Sequence, residues 1–201
     1  MFRVVLAFAI LALAAGTTSA GKFNKTLSIG DAAPAWTDLA GADGKRHALA
    51  DFKDKDAVVV VFTCNSCPVA EAYEDRIVAF AKANPNVGVV AINVNTAKDD
   101  ALPAMTARAA KKKFNFPYLF DPSQEIARKY GAKYTPEFFV LNKDRKIAYM
   151  GAMDDKSPPG EAKVKHLENA IVAALAGKKA DVAETSAAAG CGIKFNPKKD
   201  D

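Results

Sequence analysis

Two cysteines separated by two residues, Cys64 and Cys67 in the stretch Phe62-Thr63-Cys64-Asn65-Ser66-Cys67-Pro68, are the residues best placed to do chemistry. A C-x-x-C at the start of a helix sets its sulfurs about one turn apart, so they reach disulfide distance with little backbone movement. Such a pair can open and close by thiol-disulfide exchange. Free N–H groups and the positive helix end stabilise a thiolate on the first cysteine, which assigns Cys64 as nucleophile. Cys67, inside the first turn, is then the resolving thiol that attacks a mixed disulfide formed at Cys64. Pro68 suits a first turn, where its missing N–H costs little. Asn65 and Ser66, lying between the sulfurs, are the positions expected to tune the pair.

The same spacing also serves a structural disulfide or half of a zinc site. Zinc would need a second pair of ligands, and the chain offers only His47, His166 and Cys191, with both histidines reading as solvent-facing residues. No metal ligand set and no cofactor is therefore assigned. Two other classes compete with redox exchange: a soft Cu(I) site on Cys64, Cys67 and Cys191, and a binding module without catalysis. Three cysteines are an odd number, which leaves Cys191 as a candidate third thiol, reserved for exchange or a partner.

Residues 1–20 read as a signal peptide: Arg3 supplies a charge, Val4 to Ala15 a short apolar run, and Thr18-Ser19-Ala20 small residues at a cleavage site. The run falls short of the roughly 20 residues that span a bilayer. The expected location is secreted or periplasmic, with no stable membrane association after cleavage at Gly21. The remaining chain is long enough for one domain with its own core. The net charge of +5 is modest and its lysines are scattered. The run Lys111-Lys112-Lys113 reads as the polar end of a helix, so no nucleic-acid partner is inferred.

Elements to position the cysteines follow from periodicity. The unbroken β-branched and aromatic run Ala57 to Thr63 predicts a strand buried on both faces. Val69, Tyr73, Ile77 and Phe80 recur at helical spacing directly after it, ending near Asn84-Pro85-Asn86. Val87 to Val94 is a second buried strand, and a weaker helix runs from Leu102 to Lys112, giving a strand-helix-strand unit with the cysteines at its first junction. Leu39 to Lys45 predicts a hairpin about a Gly/Asp-rich turn. Phe116 to Phe120 reads as an edge strand because of Pro117, followed by a helix to Tyr130 capped by Asp121 with Pro122 at its first position. Glu137 to Leu141 and Lys146 to Met150 form a hairpin about Asn142-Lys143-Asp144. A last helix spans Glu161 to Leu175, with Val164, Leu167, Ile171 and Leu175 on its stripe. The division expected is an unstructured leader at 21–30, a domain at 31–176 and a tail at 177–201. Within that tail, Cys191-Gly192-Ile193-Lys194-Phe195 is apolar enough to dock on the domain.

This order of strand, C-x-x-C, helix, strand and helix, with Tyr134-Thr135-Pro136 before a hairpin and final helix, resembles the thioredoxin-like superfamily. Gly30-Asp31-Ala32-Ala33-Pro34, Phe120-Asp121-Pro122 and the tail Gly190-Cys191-Gly192-Ile193-Lys194 resemble its redoxin and peroxiredoxin-like (alkyl hydroperoxide reductase) branch. The resemblance implies an α/β fold with a central mixed sheet flanked by helices. It also implies that Pro136 is cis beside the pair, and that Thr135 and Pro136 receive an incoming peptide. The partners implied are protein thiol or disulfide substrates and a redox partner. Thioredoxin differs in carrying a Trp before its first cysteine, Gly-Pro between the two and an Asp where Val58 stands, so its potential does not carry over. Peroxiredoxins place a Thr three residues before the peroxide-attacking cysteine, whereas Val61 precedes Cys64 and Cys64 precedes Cys67 by that spacing. The expected activity is thiol-disulfide oxidoreduction through Cys64 and Cys67, with thiol peroxidase and Cu(I) handling as alternatives. Glu137 and Glu71 read as surface carboxylates.

Overall fold

The computed structural model describes residues 21–156, 162–187 and 189–197. The expected signal peptide and the loop Ser157 to Gly160 lie outside the described residues. The elements are β1 Leu39–Gly41, β2 Arg46–His47, β3 Ala57–Thr63, α1 Pro68–Ala83, β4 Val87–Asn93, α2 Leu102–Lys112, β5 Tyr118–Phe120, α3 Glu125–Tyr130, β6 Tyr134–Thr135, β7 Glu137–Leu141, β8 Ile147–Gly151, α4 His166–Leu175 and β9 Cys191–Gly192. Seven strands form one mixed sheet in the order β2-β1-β5-β4-β3-β7-β8, and β6 pairs separately with β9. The centre is parallel, β3 beside β4 and β4 beside β5, while β7 and β8 add antiparallel strands on one side. This is the thioredoxin-like arrangement, a mixed sheet between helical layers.

The valine run of β3 follows from its position. Successive strand residues face opposite sides of a sheet, and both sides here are covered. Val58, Val60 and Phe62 join one core with Ile92, Phe139, Ile126 and Tyr130. Val59 and Val61 join the other with Tyr73, Ile77, Phe138, Leu167 and Ile171. With water excluded from both faces, alternation disappears and every β3 residue is buried. The consequence for the site is positional: β3 is fixed on all sides, so the chain leaves it at Thr63 with Cys64 in a defined place.

Five expectations are corrected. The strand after Pro117 is interior, because β5 lies between β1 and β4, and Pro117 precedes the strand and contributes only its carbonyl, which accepts from Ala91 N at 3.0 Å. Asp121 does not cap a helix starting at Pro122. Its carboxylate instead accepts from the backbone N–H of Ser123 and Ile126, and the helix begins at Glu125 after Gln124 adopts a left-handed conformation (φ 62°). The last helix begins at His166, with residues 162–165 non-helical. Its buried face is Leu167, Ala170, Ile171 and Ala174, while Val164 and Leu175 are exposed. Residues 21–30 contain no helix or strand but are tied down: Glu184 accepts from the backbone N–H of Lys22, Phe23 and Asn24, and Asn24 Nδ2 donates to Tyr130 O at 2.7 Å. His47, expected to face solvent, stands in β2 with its side chain largely covered and its Nε2 3.1 Å from Asp43.

Phe62 closes the core beneath the site, its ring 5.4 Å from Tyr130 and 5.6 Å from Phe139. Phe62→Ala is expected to cost about 3–5 kcal/mol in urea unfolding. A loss below about 1 kcal/mol would show that this aromatic cluster does not hold β3 in place.

Candidate active site

Cys64 and Cys67 lie at the exit of β3, and both side chains are only 2 % exposed. The helix begins one residue later than the motif suggests. Cys67 is its N-cap, with Pro68 at the first helical position, and the Cys67 Sγ accepts from Ala70 N at 3.4 Å. The free first-turn N–H that sequence reasoning aims at Cys64 therefore points at Cys67. All three cysteines are unbridged.

One residue organises the sulfurs. Thr135 is buried, and its peptide bond to Pro136 is cis. Its hydroxyl lies 3.4 Å from the Cys64 Sγ, and its carbonyl oxygen lies 3.1 Å from the Cys67 Sγ, which donates to it when protonated. The two thiols titrate as one unit. A hydrogen bond from Cys64, with smaller contributions from Cys191 and the Ala70 amide, pulls Cys67 down. That same bond, then burial, pushes Cys64 up. Both placements of the shared proton find partners. With the proton on Cys64, Cys67 is a thiolate held by the helix terminus. With it on Cys67, that thiol donates to Thr135 O and the Cys64 thiolate accepts from the Thr135 hydroxyl.

Asn65 and Ser66 are held from below by a carboxylate that sequence reasoning missed. Asp100, fully buried, accepts from Asn65 N at 2.7 Å, Ser66 N at 3.3 Å and Ser66 Oγ at 2.6 Å. Asn93 Nδ2 donates to Asp100 Oδ1 at 3.1 Å and approaches the Tyr118 hydroxyl at 3.3 Å, while that hydroxyl donates to Asn65 Oδ1 at 2.9 Å. The loop between the cysteines is thus tied to β4, β5 and the short turn before α2. In sequence Asp100 follows Lys98-Asp99 in a polar connection and reads as solvated. Its only signal is the adjacent Ala101-Leu102-Pro103 helix start, which turns the chain back toward the site.

Two further positions are assigned by geometry. Glu137 is buried, contrary to its expected surface role. Its carboxylate accepts from Lys133 N at 2.7 Å and Tyr134 N at 3.0 Å, fixing the approach to Thr135, and burial pushes its carboxyl up. Cys191 lies in β9, directly paired with Thr135 of β6. Glu71 is exposed and pairs with Arg108 at 3.1 Å. Among the described residues, no group of three or more His, Cys, Asp or Glu side chains is arranged to hold a metal ion, and no helix is long and apolar enough to cross a membrane.

A mixed sheet delivering a C-x-x-C to a helix N-terminus opposite a cis-proline strand defines the thioredoxin-like class. Comparison with known proteins is consistent with that class and narrows it. Residues 28–171 match the Redoxin family model, and the chain belongs to that family. Two Mycobacterium tuberculosis proteins named as peroxiredoxins are 33% identical over 110 residues, covering 53% of this chain and 65% of theirs, just under two thirds of their length. A Sinorhizobium meliloti protein of unassigned function is 33% identical with a TM-score of 0.76, covering 87% of this chain and 98% of that one. A Chlorobium tepidum protein described as the thiol:disulfide interchange protein DsbE is 26% identical with a TM-score of 0.57, covering 74% of this chain and 99% of that one. Family and fold together place the chain in the Redoxin family of the thioredoxin-like class.

The sulfur pair generates a pH signature. In a Cys191→Ser variant, the alkylation rate of the reduced pair is expected to stay level through neutral pH and to fall only at a pH below the ordinary thiol range, because Cys64 and the Ala70 amide still hold Cys67 down. Cys64→Ala in that background removes the main hydrogen bond to Cys67 and returns its titration toward the ordinary thiol range near about 8.5. Equal profiles for the two proteins would show that the sulfurs do not share a proton.

Proposed function

We propose that this protein is an exported thiol-disulfide oxidoreductase that exchanges disulfides with protein substrates through Cys64 and Cys67. The observation that carries the reading is the convergence of both sulfurs on Thr135, the residue before Pro136. A peptide disulfide approaching that edge meets Cys64. The Cys64 thiolate attacks one substrate sulfur, the substrate S–S bond breaks, and the departing sulfur takes a proton. Cys67, having given its proton to the departing sulfur and held as a thiolate by the Ala70 amide, then attacks the Cys64 Sγ. This step breaks the mixed disulfide, releases the second substrate thiol and forms Cys64–Cys67. Two electrons pass from the pair to the substrate, and the reverse sequence oxidises a dithiol. Asn65 and Ser66, restrained by Asp100, set the spacing of the sulfurs and so tune the pair. Export rests on the sequence of residues 1–20.

The mycobacterial relatives favour a second reading, thiol peroxidase activity, in which a Cys64 thiolate attacks a peroxide oxygen. The surroundings of Cys64 offer the Thr135 hydroxyl as a polarising donor. Stopped-flow consumption of hydrogen peroxide no faster than that of a free thiol would remove this reading.

The exchange reading predicts that Cys67→Ser, offered a disulfide-bonded protein such as insulin, accumulates a covalent complex that reductant dissolves. Cys64→Ser forms none at that position. A Cys67→Ser protein that captures nothing at Cys64 contradicts the mechanism.

A further inference from the structure

The edge of β6 is already filled by the protein's own chain. Cys191–Gly192 pairs antiparallel with Tyr134–Thr135, placing Cys191 opposite Thr135. The Thr135 hydroxyl, close to Cys64 on one side, also lies 3.4 Å from the Cys191 carbonyl oxygen. Gly190 is required for this approach: a Cβ there would meet the Thr135 carbonyl oxygen at 2.4 Å and its carbon at 2.7 Å.

Beyond β9 the segment is clamped rather than merely adjacent. Ile193 N donates to Lys133 O at 2.8 Å, and its side chain is buried in the core that contains Phe62 and Tyr130. Gln124, itself buried, donates to Lys194 O at 3.0 Å and accepts from Asn196 N at 2.7 Å. Arg128 lies over the Phe195 ring, 4.4 Å from its centroid. Upstream, Thr185 N donates to Met150 O at 3.0 Å, and the Thr185 hydroxyl accepts from Ala152 N at 3.0 Å. The Cys191 thiol is exposed, on the strand residue paired with Thr135, whose carbonyl oxygen lies 3.1 Å from the Cys67 Sγ.

We propose that the segment 190–196 is a built-in peptide of the site, and that Cys191 is its third redox thiol, exchanging with Cys67. This builds on the exchange chemistry proposed for Cys64 and Cys67. Starting from the Cys64–Cys67 disulfide, the Cys191 thiolate attacks the Cys67 Sγ. The Cys67–Cys191 bond forms, the Cys64–Cys67 bond breaks, and Cys64 leaves as a thiolate that takes up the proton Cys191 gave to solvent. One disulfide replaces another, and no outside oxidant or reductant is consumed. The product covalently holds β9 on the Thr135 edge and leaves Cys64 free. A protein substrate must displace this strand to reach the pair, so the tail gates access as well as storing oxidising equivalents.

The test needs no substrate, so it stands or falls separately from the trapping of a mixed disulfide. Full-length Cys64→Ser protein retains only Cys67 and Cys191. Stoichiometric diamide, followed by denaturing alkylation and peptide mass mapping, is expected to give an intramolecular Cys67–Cys191 disulfide. Gly190→Val, placed in the same background, is expected to slow that closure several-fold by pushing β9 off Thr135. A far-UV circular dichroism spectrum and a urea midpoint matching those of the Cys64→Ser parent report that the Gly190→Val variant is folded. Two alkylatable thiols surviving in Cys64→Ser, or only intermolecular dimers, would overturn the proposal. Cys67–Cys191 closure indifferent to Gly190→Val would overturn the role of the strand.

Discussion

The site depends on Thr135 being presented with all of its polar groups engaged. Its hydroxyl faces Cys64, its carbonyl faces Cys67, and its backbone pairs with Cys191. A buried residue with this many polar atoms is stable only if each is satisfied, and two thiols supply part of that satisfaction. Oxidation of either sulfur withdraws a hydrogen-bond partner from Thr135, so the redox state of the cysteines and the structure of the edge beside them are linked. Glu137 supports the same residue from behind by holding the Lys133 and Tyr134 amides.

The other half of the site is held by Asp100. A buried carboxylate needs hydrogen-bond partners, and Asp100 finds them in the amides of Asn65 and Ser66, which fixes the loop between the sulfurs. Its negative charge also opposes a thiolate at Cys64. Cys67, by contrast, gains the helix N-terminus and the Ala70 amide. The asymmetry of the two cysteines comes from these neighbours and is not a property of the C-x-x-C spacing.

Sequence patterning exposed the scaffold well where the physics is local. Val58 to Phe62 could only be a strand covered on both sides, and Val69, Tyr73, Ile77 and Phe80 could only be one helical face, which together set the cysteines at a strand-helix junction. Thr135 and Pro136 were legible only through family resemblance, since nothing in the dipeptide itself announces its neighbours. The failures share a cause: they depended on backbone turns and on contacts across the fold that residue type alone does not announce. Glu137 and Asp100 look like surface carboxylates until Lys133, Tyr134, Asn65 and Ser66 are seen to donate to them. Asp121 resembles a helix cap by spacing, yet Gln124 takes the left-handed turn that delays the helix and frees its own amide to clamp Lys194. Phe116 to Phe120 reads as an edge because Pro117 lacks an N–H, but the proline stops just short of the paired strand and β1 occupies the outer side.

The central claim is that Cys64 and Cys67 form a reversible redox couple beside Thr135. The most direct test is equilibration of the Cys191→Ser protein in glutathione buffers of graded ratio, with the disulfide content read by alkylation and mass. The account predicts a single two-electron transition in which Cys64 and Cys67 gain and lose their bond together. Thiols that remain reduced across the series, or a bond that no buffer ratio opens, would contradict it.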